Sequence, residues 1–284
     1  MNATPPTRSP RWDPAQYRRH GAERSRPLTE LLTRVPELPA APRIADLGCG
    51  PGAPTASLFR RWPDARVTGY DNSPEMLAEA RLVAAPAGGT LAFVEADLAT
   101  WRPEEPLDLI VSNAALQWVP EHWRRLPDWV DGLAPGGTIA FQVPGNFDAP
   151  SHALIREIAA LPRWRARLAG VLRTDDWVLS PERYLAELAP LCAGVDVWET
   201  TYLHRLDGAD PVLDWVRGTG LRPVITALED DREELDAFLD AYREALRGAY
   251  PPGPYGTVFP FRRIFAVGTV GAGRADGTAA GSQR

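Results

Sequence analysis

The segment Ile44-Ala45-Asp46-Leu47-Gly48-Cys49-Gly50-Pro51-Gly52 constrains this chain more than any other stretch. A short apolar run passes into three glycines at alternate positions, and Ala53 to Arg61 then reads as a helix. A strand, a glycine turn and a helix start make a corner where backbone can approach a nucleotide closely. The spacing Gly48-x-Gly50-x-Gly52 differs from the Gly-x-Gly-x-x-Gly of pyrophosphate binders, and no Gly-Lys-Ser/Thr follows it. Asp46 beside the turn would repel a pyrophosphate and suits a cation. The corner therefore fits a nucleoside that carries positive charge and no phosphate.

Strands and helices alternate from here. Arg43 to Leu47, Ala65 to Tyr70, Thr90 to Glu95, Leu107 to Ser112 and Thr138 to Val143 read as strands. Ser73-Pro74 caps a helix, with Ser at the N-cap and Pro at the first helical position. Trp123 to Leu133 and Pro181 to Leu191 read as helices, and Gly194 to Leu206 as a long strand. Asp210 to Val216 and Glu229 to Arg247 are helical, and Arg263 to Val270 is a last strand. Near-continuous apolar strands separated by helices indicate an α/β fold. The expectation is a doubly wound, mostly parallel seven-stranded, Rossmann-like sheet in one domain over 10–270. Within it, 10–42 forms an N-terminal cap, 43–144 a cofactor-binding core and 145–206 a late core. Residues 207–260 form a helical lid insertion and 261–270 the last strand. The ends, 1–9 and 271–284, read as disordered.

Ligands in such sheets bind at the carboxyl ends of the strands. Those ends offer Asp46 with Gly48, Cys49, Gly50 and Gly52, then Asp71 with Asn72, Asp97 with Leu98, and Asn113. Asp71 follows the turn at the distance expected of a carboxylate that accepts ribose hydroxyls, although capping of the next helix would also explain it. The net charge of -6 argues against a nucleic-acid binder. No stretch is apolar for the roughly 20 residues of a membrane span, and the Arg- and Pro-containing N-terminus shows no apolar signal-peptide core. Two cysteines give neither a disulfide framework nor metal spacing. A cytoplasmic, monomeric protein without a metal is expected. All 31 basic residues are Arg, so any single Arg is weaker evidence of an anion site than usual.

The segment Asp46 to Gly52 resembles the first motif of class I S-adenosylmethionine-dependent methyltransferases, and the acidic strand ends fall where that family has them. The resemblance implies S-adenosylmethionine as cofactor. The glycine turn would lie against its methionine part, Asp71 would bind the ribose, Asp97 and Leu98 would border the adenine, and Asn113 would line the floor. A narrower resemblance, to the trans-aconitate 2-methyltransferases, runs from about Trp12 to Val270. Its carriers are Trp12-Asp13-Pro14-x-x-Tyr17, Glu23-Arg24-Ser25-Arg26-Pro27, Asn113-Ala114-Ala115-Leu116-Gln117-Trp118, Thr200-Thr201-Tyr202-x-His204 and Asp214-Trp215-Val216-x-x-Thr219-Gly220-Leu221-Arg222-Pro223. The stretch from Trp164 to Trp177 departs from the pattern.

That resemblance implies methylation of a carboxylate on a small polycarboxylate, giving a monomethyl ester. A carboxylate is ionised at neutral pH and needs no general base. Arg clamps would hold the carboxylates that do not react. The candidates are Arg24, Arg26, Arg222 and Arg263, with Tyr17, His20, Gln117, Trp118, Tyr202, His204 and Trp215 as walls and orienting groups. Tyr17, His20, Trp118, Arg222 and Arg263 are the residues expected to reach the acceptor. Each Arg reads equally as solvated surface, His204 also as a core histidine and Trp118 as core packing. Another small-molecule acid or an amine remains an alternative acceptor, and a non-catalytic cofactor-binding protein is a further reading.

Overall fold

The computed structural model describes residues 21–173 and 177–273, with side chains from Ser25 onward. Helix α1 (Gly21–Leu32) precedes the sheet. Then follow β1 (Arg43–Leu47), α2 (Ala53–Ala56), β2 (Arg66–Asp71), α3 (Pro74–Ala80), β3 (Thr90–Glu95), β4 (Leu107–Asn113), α4 (Leu126–Asp131) and β5 (Leu133–Pro144). The second half contains α5 (Pro150–Ala159), α6 (Pro181–Leu188), β6 (Gly194–Leu206), α7 (Pro211–Arg217), α8 (Arg222–Leu228), α9 (Arg232–Ala249) and β7 (Thr257–Thr269). The seven strands form one sheet in the order β3-β2-β1-β4-β5-β7-β6. The first five are parallel, and β7 runs antiparallel to both β5 and β6. The order reverses between β1 and β4, which sets the switch point beside the glycine turn.

Alternation along each central strand explains why the runs are apolar throughout. Ala45, Ile110, Ile139, Phe141, Ile264 and Ala266 point to one face, where Leu126, Trp129, Tyr184 and Leu188 of α4 and α6 cover them. Ile44, Val67, Leu109, Val111, Ala140, Phe265 and Val267 point to the other, against Leu28, Leu31, Leu32 and Val35. Leu28, Leu31 and Leu32 recur at helical spacing, so α1 buries one stripe despite Pro27 inside it, and Val35 extends that cover past its end.

A third apolar layer lies beyond the sheet. Ile155 and Ile158 of α5 pack with Val212, Trp215, Val224, Phe238, Tyr242 and Leu246 of α7 to α9. Leu206, Phe259 and Phe261 belong to the same cluster. They sit where β6 and β7 outrun the parallel strands. β5 pairs with β7 only from Thr269 to Arg263, whereas β6 and β7 stay paired on to Leu206 and Thr257. At about 3.4 Å per residue this ribbon projects roughly 20 Å past the carboxyl edge.

Several expected elements are cut or shifted by prolines and glycines. The helix read over Ala53 to Arg61 is four α residues followed by a 3-10 turn, Ser57–Arg60. There the Ser57 hydroxyl donates to the Pro54 carbonyl at 2.6 Å. The helix read over Trp123 to Leu133 divides at Pro127, which has no N–H to continue the ladder. A 3-10 turn over His122–Arg125 precedes it, and Leu133 already belongs to β5. β5 begins early because Pro135-Gly136-Gly137 is accommodated as an irregularity, with Gly136 at φ 78°. β7 begins six residues before the expected Arg263, and α9 runs Arg232–Ala249 in place of Glu229 to Arg247. α8, begun by Arg222-Pro223, was not among the expected helices.

Among the described residues no helix is long and apolar enough to cross a membrane.

Candidate functional site

The glycine turn is fixed from three sides. Gly48, Gly50 and Gly52 all have positive φ, at 78°, 54° and 80°. The N–H groups of Gly48 and Cys49 both donate to the Tyr70 carbonyl, at 2.7 and 3.0 Å, tying the turn to the end of β2. A Cβ at Gly48 would lie 2.0 Å from the Ala115 Cβ, and one at Gly52 would lie 2.9 Å from the Ala80 backbone. At Gly50 nothing lies within 4 Å of that position, so the middle of the turn opens outward. Cys49 is buried, with its thiol pKa pushed up by burial and by Asp46 and Asp71. The four-residue α2 offers only a small helix dipole to an anion.

Two carboxylates dominate the corner. Asp46 is buried and accepts the Thr55 hydroxyl at 2.7 Å. Burial first, and Asp71 after it, push its pKa up to about 6 against the pull of Thr55. Asp71 ends β2 and accepts from Gly50 N–H and Ser73 N–H, both at 2.9 Å. Its pKa is raised by burial and held back by these backbone donors. Each Asp71 oxygen keeps a second lone pair for a ligand hydroxyl. Ser73 meanwhile caps α3, its hydroxyl accepting from Met76 N–H at 3.3 Å.

The remaining strand ends complete the edge. Asn72 and Asp97 are exposed, and Asp97 accepts from Ala99 N–H at 2.9 Å. Leu98 is buried beside Gly48. On the floor, Asn113 Oδ1 accepts from Gln142 Nε2 at 2.6 Å. Gln142 Oε1 in turn accepts from Arg263 at 3.0 Å. A buried relay thus crosses β4, β5 and β7. Ala114 follows in the left-handed region at φ 56°, and its carbonyl accepts from Gln117 Nε2 at 2.6 Å. Gln117 Oε1 is buried with no hydrogen-bond partner among the described residues.

The arrangement resembles known proteins at three levels. A family model described as "Methyltransferase domain" matches residues 44–137. A trans-aconitate 2-methyltransferase from Streptomyces coelicolor is 63% identical over 92% of this chain and 88% of its own length. That from Mycobacterium tuberculosis is 46% identical over 94% of this chain and 99% of its own. The chain belongs to the trans-aconitate 2-methyltransferase family. The fold agrees with solved structures at lower identity. E. coli YjhP has a TM-score of 0.51 at 19% identity, covering 87% of this chain and 92% of that one. A SAM-dependent methyltransferase from Thiobacillus denitrificans, solved with S-adenosyl-L-homocysteine, has a TM-score of 0.50 at 20% identity, covering 87% and 91%.

In this trans-aconitate 2-methyltransferase family member the expected acceptor residues divide. Tyr17 and His20 lie outside the described residues, as does the Arg24 side chain. Arg263 is buried on the floor relay, its guanidinium 4.9 Å from the Phe261 ring. Trp118 is half-buried just past the end of β4. Arg222 is half-buried as the first residue of α8. Arg26 is exposed, pairs with Glu30 at 2.6 Å and lies over the Tyr202 ring. The Tyr202 hydroxyl also donates to Glu30, so these three close the sheet against α1. His204 is buried against Trp215, with ring centroids 4.6 Å apart, and Trp215 is in the helical layer's core. Arg173 beside Trp118, and Phe147 and His152 beside Arg173, were absent from the expected set. The only signal for Arg173 was the mixture of Arg and Trp from Trp164 to Trp177.

Proposed function

We propose that this chain transfers a methyl group from S-adenosylmethionine to a carboxylate oxygen of trans-aconitate, giving a monomethyl ester. The observation that carries this reading is 63% identity to the Streptomyces coelicolor trans-aconitate 2-methyltransferase along nearly the whole of both chains.

The residues at the corner suit this cofactor. Asp71, oriented by two backbone N–H groups, has acceptor capacity for ribose hydroxyls, and the open side of Gly50 leaves space beside it. Buried Asp46 and nearby Asp71 favour a cation over a phosphate. The unsatisfied Gln117 Oε1 is an acceptor for a ligand donor. Asp97 and Leu98 border the adenine in this assignment, and Asn113 lies below the reacting group. When bound, the cofactor supplies an electrophilic methyl group on a sulfonium that leaves as a neutral thioether.

The chain's own task is alignment and water exclusion. The ionised acceptor requires no base, and alignment alone supplies roughly 7–11 kcal/mol in favourable cases. Opposite charges vanish as the ester forms, so the attacking oxygen benefits from a dry site. The carboxylates that do not react require cationic partners. Arg263, aimed by the Asn113–Gln142 relay, and Arg222 at the start of α8 serve in this role. Tyr17 and His20 belong to the same assignment. The enzyme is taken as a cytoplasmic monomer acting on a small polycarboxylate, with no nucleic-acid partner.

The test is an acceptor screen with methyl-labelled cofactor. Trans-aconitate should give a base-labile monomethyl ester with a clear kinetic preference over other acids. A base-stable product, or preference for an unrelated acid or an amine, would refute the assignment.

A further inference from the structure

Arg173 lies between α5 and α6, held by backbone and aromatic rings. Its guanidinium is 5.2 Å from the Trp177 ring centroid, 5.6 Å from that of Trp118 and 5.9 Å from that of Phe147. All three distances are within the range of cation–π attraction. One terminal nitrogen donates to the Gln117 carbonyl at 2.8 Å. Gln117 and Trp118 follow the carboxyl end of β4, and Phe147 follows that of β5. The cation is therefore stationed over two adjacent strand ends, next to the switch point.

A second guanidinium lies close by among the described residues. Arg156 stacks on Phe147 at 3.8 Å from the ring centroid and donates to the Phe147 carbonyl at 2.8 Å. Its acidic neighbour, Asp148, is 3.8 Å away and almost fully exposed. His152 at the start of α5 feels both guanidinium groups. Burial, then Arg173 and Arg156, push it down to about 4, so it is a neutral imidazole. Its Nε2 is 3.1 Å from where a Cβ at Gly220 would lie, which brings the turn before Arg222 alongside.

We propose that Arg173 binds a carboxylate of the polycarboxylate acceptor other than the one that is methylated. This rests on the assignment of a small polycarboxylate as acceptor. The rings flanking the guanidinium restrict what approaches it and replace part of its water shell with apolar surface, which strengthens an ion pair. A planar fork matches a carboxylate through two parallel hydrogen bonds, and a lysine would not. Neutral His152 adds a polar group without a second charge to desolvate. An anion docked here lowers the local positive potential, so acceptor binding raises the His152 pKa.

The experiment compares the wild type with Arg173→Lys and Arg173→Ala, reading acceptor KM, kcat and cofactor Kd, with NMR titration of His152. Arg173→Ala should raise the KM for trans-aconitate roughly tenfold or more, the range for losing a charged hydrogen bond. Its cofactor Kd should stay within about twofold, as expected if only the acceptor side is altered. Arg173→Lys should fall in between. Saturating trans-aconitate, with S-adenosylhomocysteine present, should move the His152 titration upward in the wild type. An unchanged acceptor KM in Arg173→Ala overturns the proposal, as does a cofactor Kd that weakens in step with it. Failure of the underlying assignment looks different: the wild type itself then makes no ester from trans-aconitate, and the proposal falls with it.

Discussion

Replacing Asp46 by Asn isolates the electrostatic cost of the cofactor corner. Asn retains the size of the side chain and, through Oδ1, an acceptor for the Thr55 hydroxyl. The folded-state pKa of Asp46 is raised from 3.8 to about 6, so ionisation opposes folding. The sign follows directly. Well below pH 4 the carboxyl is protonated in both folded and unfolded chains and no penalty exists. The penalty opens between pH 4 and 6 and is complete above that. It amounts to about 2 kcal/mol at pH 5 and about 3 kcal/mol at pH 7.5. A buried amide N–H without a partner costs about 1–3 kcal/mol at every pH, so the slope and not the offset is the measurement. Urea unfolding of the cofactor-free protein at pH 5.0, 6.0 and 7.5 should show the Asp46→Asn variant gaining about 1 kcal/mol on the wild type across the series. Cofactor affinity should behave oppositely. A bound cation favours the ionised carboxylate, so wild-type affinity falls as pH drops through about 6, whereas that of the variant stays flat. Parallel stability profiles for the two proteins would refute the buried-charge argument.

Other perturbations separate the two halves of the site. Asp71→Ala should weaken the cofactor by on the order of tenfold, measured by calorimetry, and leave the ranking of acceptors unchanged. Gly48→Ala should destabilise the fold by more than about 2 kcal/mol, because φ is 78° and the new methyl would meet the Ala115 Cβ at 2.0 Å; denaturant midpoints report it. Arg222→Ala should raise acceptor KM with little effect on cofactor Kd, and loss of cofactor binding in that variant would contradict its acceptor role.

The parallel half of the sheet was legible because its strands are apolar on both faces. Each of Ile44, Leu109, Ile110 and Val111 meets a covering helix, so the run alone identifies the element. β7 was harder. Phe259 and Phe261 are buried, but the alternating Val258 and Pro260 are exposed, and Pro260 argues against a strand until β6 is seen beside it. The helices over Ala53 to Arg61 and Trp123 to Leu133 were misread for length: the first tightens into a 3-10 turn at Ser57, and the second divides ahead of Pro127, whose missing N–H cannot continue the ladder. The cofactor corner could be read from one contiguous motif. The proposed acceptor side could not, because Trp118, Phe147 with His152, and Arg173 come from three separated segments. Only the approach of the ends of β4 and β5 to α5 brings them together. Arg263 was legible as a candidate, but its orientation by Gln142 was not, as register across β5 and β7 sets that contact.

The projecting ribbon of β6 and β7 also defines a graft point. The chain departs from the ribbon at Leu206 and returns at its paired neighbour Thr257, so residues 207–256 begin and end side by side. Whatever occupies that excursion leaves the sheet register undisturbed, because the pairing from Arg263 to Thr269 is complete without it. Selection can thus lengthen, shorten or replace this segment while β1 to β4 hold the glycine corner fixed. A family built this way can remodel the helical layer by editing one loop of helices hung from a single pair of residues.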